Sequence, residues 1–468
     1  MQATLSKKTI WAMSSYSFLV LGIMMGFIYT NTFATEILQI PPAVLAAPML
    51  VAKVIDFIFS LLCGSIIEKV QIGKKGKNQG WINFGRIIVT LTVLTSMIPT
   101  TAAPMVVRLL VLAVSYCVLN STMNMVQTAY YNLVAIVSGP NPANRNAIMV
   151  NQTRLNTIIN FVCAFIPMLV TVMPLGIWNY FIVSFIFVIP MPIALGAIQK
   201  QGDGLDLRVG EGGVVYQISV KDMFGTLIKN PMVLSIFITQ VIAYISQYIA
   251  QTQGTYYWIY IAGNFSLMTI SALVGSICGI VAGLFMPKLG AKMGKKNAYF
   301  LTLISAGAFG IINCFLAKMG WQYLIVTTAI STFMMYVSSA YIMLMYLDAG
   351  EWYLNKTGKD TRGICVGLMS PPLKIGMAVG GTIGLAMLAA TGFGVAGFVP
   401  DAVWVDKFCN SCYLIPGIIN LCAAVFLMIT YRMKEADAQR MAQENAEKIA
   451  QSIADASGQP AQGPAQDE

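Results

Sequence analysis

The chain has 468 residues, of which 57% are hydrophobic and only 10% are charged, and its net charge is +10. Soluble proteins carry roughly 25% charged residues, so this composition excludes an ordinary soluble domain and indicates a membrane protein. The 29 basic residues are spread over many separate segments, which argues against a nucleic-acid partner.

Apolar runs recur along the sequence, and each is long enough to cross ~30 Å of hydrocarbon as a helix. We predict twelve spans, which begin near Ile10, Val44, Trp81, Met105, Met149, Trp178, Met232, Ser266, Ala298, Trp321, Gly363 and Cys409. Most basic residues lie on one side of this arrangement, with Lys318 and Lys407 clearly on the other. The positive-inside rule therefore places both termini in the cytoplasm.

The chain divides into two similar halves. The predicted parts are an N-terminal six-helix bundle (1–198), a cytoplasmic central loop (199–230), a C-terminal six-helix bundle (231–431) and a cytoplasmic tail (432–468). Glycine-and-lysine turns at 73–78 and 294–297 occupy the same place in each half. Repeats of this kind, related by an axis along the membrane normal, are how the major facilitator fold is built. We expect an all-α membrane protein of that architecture.

The second span carries a lysine and an aspartate, Lys53 and Asp56, on one helical face. A charge at the bilayer centre costs ~2.5–3.5 kcal/mol on insertion scales, so such residues usually face a polar interior and take part in function. Asp56 is the one carboxylate deep in a span, whereas Lys53, Arg154 and Lys374 are deep cations. This excess of positive charge favours an anionic substrate, and we assign both Arg154 and Lys374 to the substrate site. The alternative is a lysine that burial keeps neutral, or one that is hydrated in a wide cavity.

Other polar side chains within the spans fit a sugar-binding cavity. Amides, a guanidinium and aromatic rings can bind hydroxyls and the faces of sugar rings. These side chains are Asn124, Gln127, Tyr131, Asn151, Gln152, Arg154, Gln240, Tyr244, Gln247, Gln251, Tyr336 and Tyr341. Hydrogen bonds between helices are the alternative role for each of them.

The nine cysteines form no framework, since seven lie singly within apolar runs and only Cys409 and Cys412 form a CxxC pair. The chain contains no histidine. We therefore predict no metal site and no cofactor other than a coupling ion, H⁺ or Na⁺. The spans also lack paired carboxylates and a nucleophile beside a base, so we predict that the protein is not an enzyme.

Three stretches carry a family resemblance. They are Ala-Lys-Val-Ile-Asp at 52–56, Asn-Pro-Ala-Asn-Arg at 141–145 leading to Arg154, and 347–376, which contains Leu-Asp-Ala-Gly-Glu-Trp and Lys-Thr-Gly-Lys. With these stretches the sequence resembles the glycoside-pentoside-hexuronide:cation symporters, a branch of the major facilitator superfamily that includes the melibiose permease. The resemblance covers most of the chain and implies twelve helices and cation-coupled sugar uptake.

The resemblance implies a cation-coupling site on the second span. Asp56 falls on the first of two aspartates that form the family's cation site, Lys53 on the basic residue before it, and Lys374 on the neighbouring lysine of the eleventh helix. Ser60 stands where the family has the second aspartate. One carboxylate and one hydroxyl are few ligands for sodium, so we expect coupling to a proton. Transport without coupling remains the alternative if a lysine holds Asp56 permanently.

The resemblance also implies a substrate site. Arg154 falls on the family's sugar-contacting arginine, and Tyr131 and Tyr336 fall where the melibiose permease has sugar-lining tryptophans. Gln127 replaces an aspartate of the fourth helix, and the aspartate of the first helix has no counterpart near 18–20. The loss of two carboxylates favours a hexuronide, a glucuronide or another acidic sugar over a neutral galactoside.

We assign Asp348, Glu351 and Arg145 to a cytoplasmic gate, where the two carboxylates pair with basic residues of the loops. The predicted protein is a monomeric importer of a sugar or glycoside by cation symport, embedded in the lipid bilayer of a bacterial cytoplasmic membrane. The alternatives are an uncoupled facilitator of a neutral glycoside and a sensor with the same fold that does not transport.

Overall fold

The computed structural model describes residues 5–139, 141–210, 220–395 and 397–457. Within these ranges it describes the backbone alone at 142, 220, 283–291, 336–340, 446, 449–450 and 452–457. Parts of the predicted central loop (211–219) and tail (458–468) lie outside the described residues. All regular structure in the described part of the chain is helical.

In the described part of the chain, twelve long helices form the bundle, as predicted for the major facilitator fold. In chain order they are α1 Lys7–Ile37, α2 Pro42–Lys69, α3 Lys77–Ser96, α4 Met105–Ser138, α5 Ala143–Val172, α6 Gly176–Lys200, α7 Pro231–Ile261, α8 Leu267–Met293, α9 Lys295–Met319, α10 Trp321–Thr357, α11 Arg362–Ala390 and α12 Ala402–Thr430. Over the described residues, all of these except α3, α8 and α10 are long and apolar enough throughout to cross a membrane. A 20-residue helix such as α3 spans ~30 Å, which is also the thickness of the hydrocarbon.

Capping residues explain where several helices begin and end. Asn230 precedes α7, and its side chain accepts hydrogen bonds from the first free backbone amides of that helix. Asp401 caps α12 in the same way through the amide of Trp404. Gly358 ends α10 in the left-handed region (φ 71°), a conformation that costs glycine little.

Each half has its own hydrophobic cores. Two clusters of buried side chains lie mainly within α1–α6, and two others lie mainly within α7–α12. The halves meet where α2 packs along α11. Glycines of α11 allow its close packing on α7, because a side chain at Gly376 or Gly380 would overlap the α7 backbone.

The interface between the halves is closed at the end of the bundle opposite the termini. There, the hydroxyls of Thr32 and Thr255 are 2.8 Å apart, and the Tyr260 hydroxyl donates to Glu36 Oε2 over 2.9 Å. Hydrogen bonds between described residues of the two halves lie either at this closed end or near Asp56, and none of them lies at the ends that carry the termini.

Candidate substrate and coupling site

A cavity of about 550 Å³ lies between the two halves. Side chains of α1, α2, α4 and α5 line it from the N-terminal half, and side chains of α7 and α11 line it from the C-terminal half. On the cavity side, α1 departs from regular α geometry in a 3₁₀ turn at Ser15–Phe18 and a π turn at Met25–Tyr29. Irregular backbone inside a membrane protein is tolerated where it lines such a cavity.

A buried ion pair joins the halves at this cavity. The ammonium of Lys374 on α11 lies 2.8 Å from Asp56 Oδ2 and 3.0 Å from Asn124 Oδ1. The Asn124 amide donates to the other carboxylate oxygen, Asp56 Oδ1, over 2.5 Å. Asp56 is 1% exposed and therefore depends on these partners. The sequence analysis singled out all three residues, but not the role of Asn124 as a bridge between the other two.

Lys53 lies on the same face of α2, one turn before Asp56, and also lines the cavity. Its side chain crosses to α11, where a methyl group at Gly381 would overlap the ammonium. No described residue accepts a hydrogen bond from Lys53 or lies within ion-pair distance of it. Lys53 and Lys374 are the charged residues among the described side chains that line the cavity.

Ser60 does not join this cluster. Its hydroxyl donates to the backbone oxygen of Phe57, on its own helix, over 2.7 Å. Ser60, at the position of the expected second carboxylate, therefore makes no hydrogen bond to Asp56 in this conformation.

Three of the predicted substrate residues line the cavity. Gln127 and Tyr131 line it from α4, one turn apart, and both are exposed to it. The side chain of Tyr336 lies outside the described residues. Lys374, which we also expected to contact substrate, lines the cavity while it is bonded to Asp56.

The structure does not bring Arg154 to the cavity. Its side chain is exposed on the same stripe of α5 as Val150 and Ile158, which are 51% and 60% exposed. The cavity face of α5 instead carries Gln152 and Asn156. Arg154 follows Gln152 by two positions of about 100° each, so the two side chains point to nearly opposite sides of the helix. The excess of deep positive charge is therefore smaller than the sequence predicted.

Sequence analysis missed two asparagines of the cavity wall. The Oδ1 atoms of Asn120 and Asn156 are buried and have no hydrogen-bond partner among the described residues. A buried acceptor without a donor is costly, so these atoms suit the hydroxyl groups of a bound sugar. Asn120 precedes Asn124 by one turn and could have been recognised as part of the polar stripe on α4.

The predicted gate residues lie at the terminal end of the bundle. Asp348 pairs with Lys295 at 2.6 Å, and Glu351 pairs with Arg362 at 2.9 Å. The tail helix Glu435–Ser457 contributes as well, since the Asn445 amide donates to Glu351 over 2.7 Å. Arg145 is exposed, and no described carboxylate lies within ion-pair distance of it.

Comparison with known proteins identifies the family. Residues 11–435 match the family described as MFS/sugar transport protein. An "uncharacterized symporter YjmB" of Bacillus subtilis (strain 168) is 23% identical over 436 residues, which cover 90% of this chain and 91% of that protein. A "glucuronide carrier protein homolog" of Escherichia coli (strain K12) is 24% identical over 215 residues, which cover 46% of this chain and 47% of that protein.

Solved structures of other transporters share the fold. The nucleoside transporter NupG superposes with a TM-score of 0.64 at 13% identity, covering 91% of this chain and 100% of NupG. A bacterial homologue of the iron transporter ferroportin, in an inward-facing state, gives 0.66 at 12% identity, covering 92% of this chain and 100% of that one. At such low identity these likenesses establish the fold alone.

The predicted major facilitator fold is thus confirmed, as is the resemblance to the glycoside-pentoside-hexuronide:cation symporters. The chain belongs to the MFS/sugar transport protein family, and it is a multi-pass membrane transporter of sugars and not an enzyme.

Proposed function

We propose that this protein imports an acidic sugar, a hexuronide or glucuronide, together with a proton, by alternating access between its two halves. The observation that carries this proposal is the bond from Lys374, in the C-terminal half, to Asp56 and Asn124 in the N-terminal half. This bond lies beside the cavity. Protonation of Asp56 there would occupy the ion site and also weaken the contact between the two halves.

The coupling follows from charge. When Asp56 takes up a proton, it loses its charge and with it the Coulomb attraction for Lys374. The released ammonium then adds positive charge to the cavity and strengthens the binding of an anion. Linkage requires the reverse effect as well, so a bound anion increases the affinity for the proton by the same factor. Proton and sugar therefore bind together and cross together.

The charge balance of the cavity supports an acidic substrate. Lys53 and Lys374 contribute two positive charges, and Asp56 compensates one of them. A substrate with a single carboxylate would lower this positive charge by one. The name of the glucuronide carrier homologue, which matches 46% of this chain, points to the same class of sugar.

The geometry at Asp56 supports a proton over sodium. A hard metal cation needs several oxygen ligands at once. Both oxygens of Asp56 already accept hydrogen bonds, and the Ser60 hydroxyl donates to its own helix. A proton needs only one acceptor atom.

The same pairing of Asp56 with Lys374 favours one alternative, an uncoupled facilitator of a neutral glycoside. If Lys374 never leaves Asp56, no coupling ion binds and the sugar moves only down its own gradient. Proton dependence of accumulation distinguishes this alternative from symport.

We place both termini on the cytoplasmic side of a bacterial cytoplasmic membrane, where most basic residues then lie. The closed end of the bundle then faces outward, and the cavity opens to the cytoplasm. The pairs Asp348–Lys295 and Glu351–Arg362 would hold the cytoplasmic ends of α9, α10 and α11 together as part of the gate. A single chain contains the whole cavity, so a monomer would be sufficient for transport.

Uptake of labelled acidic and neutral sugars into membrane vesicles tests the proposal. We expect an acidic sugar to accumulate when the outside is more acidic, and to accumulate equally well with sodium or choline at fixed pH. Strong stimulation by sodium would contradict proton coupling. Equilibration without accumulation would favour the facilitator.

A further inference from the structure

Lys53 is a buried cation for which the described part of the chain provides no acceptor. It is 7% exposed, lines the cavity and reaches across from α2 to the glycine face of α11. The absence of a side chain at Gly381 leaves the space that the ammonium occupies. The Thr252 hydroxyl of α7 borders the same space, 3.7 Å from where a Cβ of residue 381 would lie.

The nearest carboxylate, Asp56, makes no hydrogen bond or ion pair with Lys53 in the structure. Asp56 lies one turn along α2, but Asn124 and Lys374 already bond to its two oxygens. A desolvated ammonium without a partner is costly, and such groups are usually paired or hydrogen-bonded. The described residues supply no such partner, and the cavity that Lys53 lines is open to one.

The surroundings of Lys53 suit a small organic anion. The cavity, at about 550 Å³, is within the usual range for sites that bind small molecules. Apart from Lys374, which is paired with Asp56, its other described polar groups are uncharged amides and hydroxyls, including Tyr248, Gln251 and Thr252 on α7. These groups can bind sugar hydroxyls, but they do not compete with a carboxylate for the ammonium.

We propose that Lys53 binds the carboxylate of the transported sugar, and that Gly381 exists to let its ammonium reach that position. This assignment rests on the proposed function, an acidic sugar as substrate. The family resemblance places Lys53 in the cation-coupling site. Our assignment instead gives Lys53 a role in substrate binding, in which it selects acidic over neutral sugars.

The test compares two probes that differ only at C6, 4-nitrophenyl β-D-glucuronide and 4-nitrophenyl β-D-glucopyranoside, in binding to the purified full-length protein. A charge-assisted hydrogen bond contributes enough that Lys53→Gln should weaken glucuronide binding about tenfold or more. Glucoside binding should change by less than about twofold, because it uses only neutral contacts. Lys69→Gln is the matched control, since it removes the same charge from the exposed end of the same helix.

Two further variants keep the positive charge. Gly381→Ala should also weaken glucuronide binding selectively, because the new methyl group displaces the ammonium. Lys53→Arg should retain more of the preference for glucuronide than Lys53→Gln does. If Lys53→Gln does not fold, as judged by its melting temperature, the result for Gly381→Ala decides.

The experiment distinguishes an error in the role of Lys53 from an error in the proposed substrate class. If the wild-type protein prefers glucuronide and both Lys53→Gln and Gly381→Ala keep that preference, the role of Lys53 is wrong while the proposed substrate class stands. If the wild-type protein binds both probes equally, the acidic substrate class is wrong, and the role of Lys53 is overturned with it.

Discussion

Lys53 and Lys374 both lie between α2 and α11, but their ammonium groups have different surroundings. Lys374 reaches from the C-terminal half to Asp56 and Asn124 and is neutralised there. Lys53 reaches in the opposite direction, lies against Gly381, and has no acceptor among the described residues. The positive charge of the cavity thus has two parts. The protein neutralises one of them, which suits coupling, and leaves the other for a ligand, which suits binding.

Removing the charge of Asp56 should give the largest effect. Asp56→Asn mimics the protonated residue but cannot take up or release a proton, so it should abolish accumulation driven by a proton gradient. Exchange of labelled for unlabelled sugar should remain measurable, because the substrate contacts are intact. Vesicle uptake with and without a gradient checks both. Unchanged accumulation would remove Asp56 from the mechanism.

Removing the partner of Asp56 should destabilise the protein. Lys374→Gln leaves a buried carboxylate with only Asn124 as its partner, which should cost about 3–5 kcal/mol of unfolding free energy. The double variant Asp56→Asn/Lys374→Gln should regain much of this loss, because it removes the buried carboxylate as well. Melting of the detergent-solubilised protein measures this. Equal stability of both single variants and the wild type would mean that the pair is solvated.

A neutral wall residue provides the contrast to Lys53. The Asn120 Oδ1 atom lacks a donor in the described structure, so we expect it to accept from a sugar hydroxyl. Asn120→Ala should weaken the binding of glucuronide and glucoside alike by several-fold, the effect of about 1 kcal/mol for one neutral hydrogen bond. A loss of affinity for only one of the two probes would mean that Asn120 is not a neutral contact shared by both sugars.

The smallest effect should come from Arg154→Gln. Because Arg154 lies away from the cavity, its replacement should change the affinity for either probe by less than about twofold, within the range of ordinary surface substitutions. The same binding assay checks this result. A loss selective for glucuronide would mean that α5 turns Arg154 toward the substrate in another conformation.

The helices could be predicted from sequence because hydrophobic length and charge position identify spans directly. The resemblance located Asp56, Lys53 and Lys374. The side of α5 that faces the cavity could not be predicted. Arg154 and Gln152 are both polar, and which of them faces the cavity depends on the rotation of α5 about its axis. Angles of this kind are set by tertiary packing.

The contacts that close one end of the bundle could not be predicted from the sequence either. Thr32 and Thr255 join the halves there, but single threonines near helix ends have no distinctive pattern. Their pairing depends on how the two halves come together, and it differs between conformations of a transporter.

Proton release or uptake on sugar binding tests the link between Asp56 and the substrate most directly. Titrating 4-nitrophenyl β-D-glucuronide into the purified protein in weakly buffered solution should raise the pH of the solution, because Asp56 takes up about one proton per sugar bound. Asp56→Asn should bind the same probe with no change in pH. Binding without proton uptake by the wild-type protein, or equal uptake by the variant, would contradict coupling through Asp56.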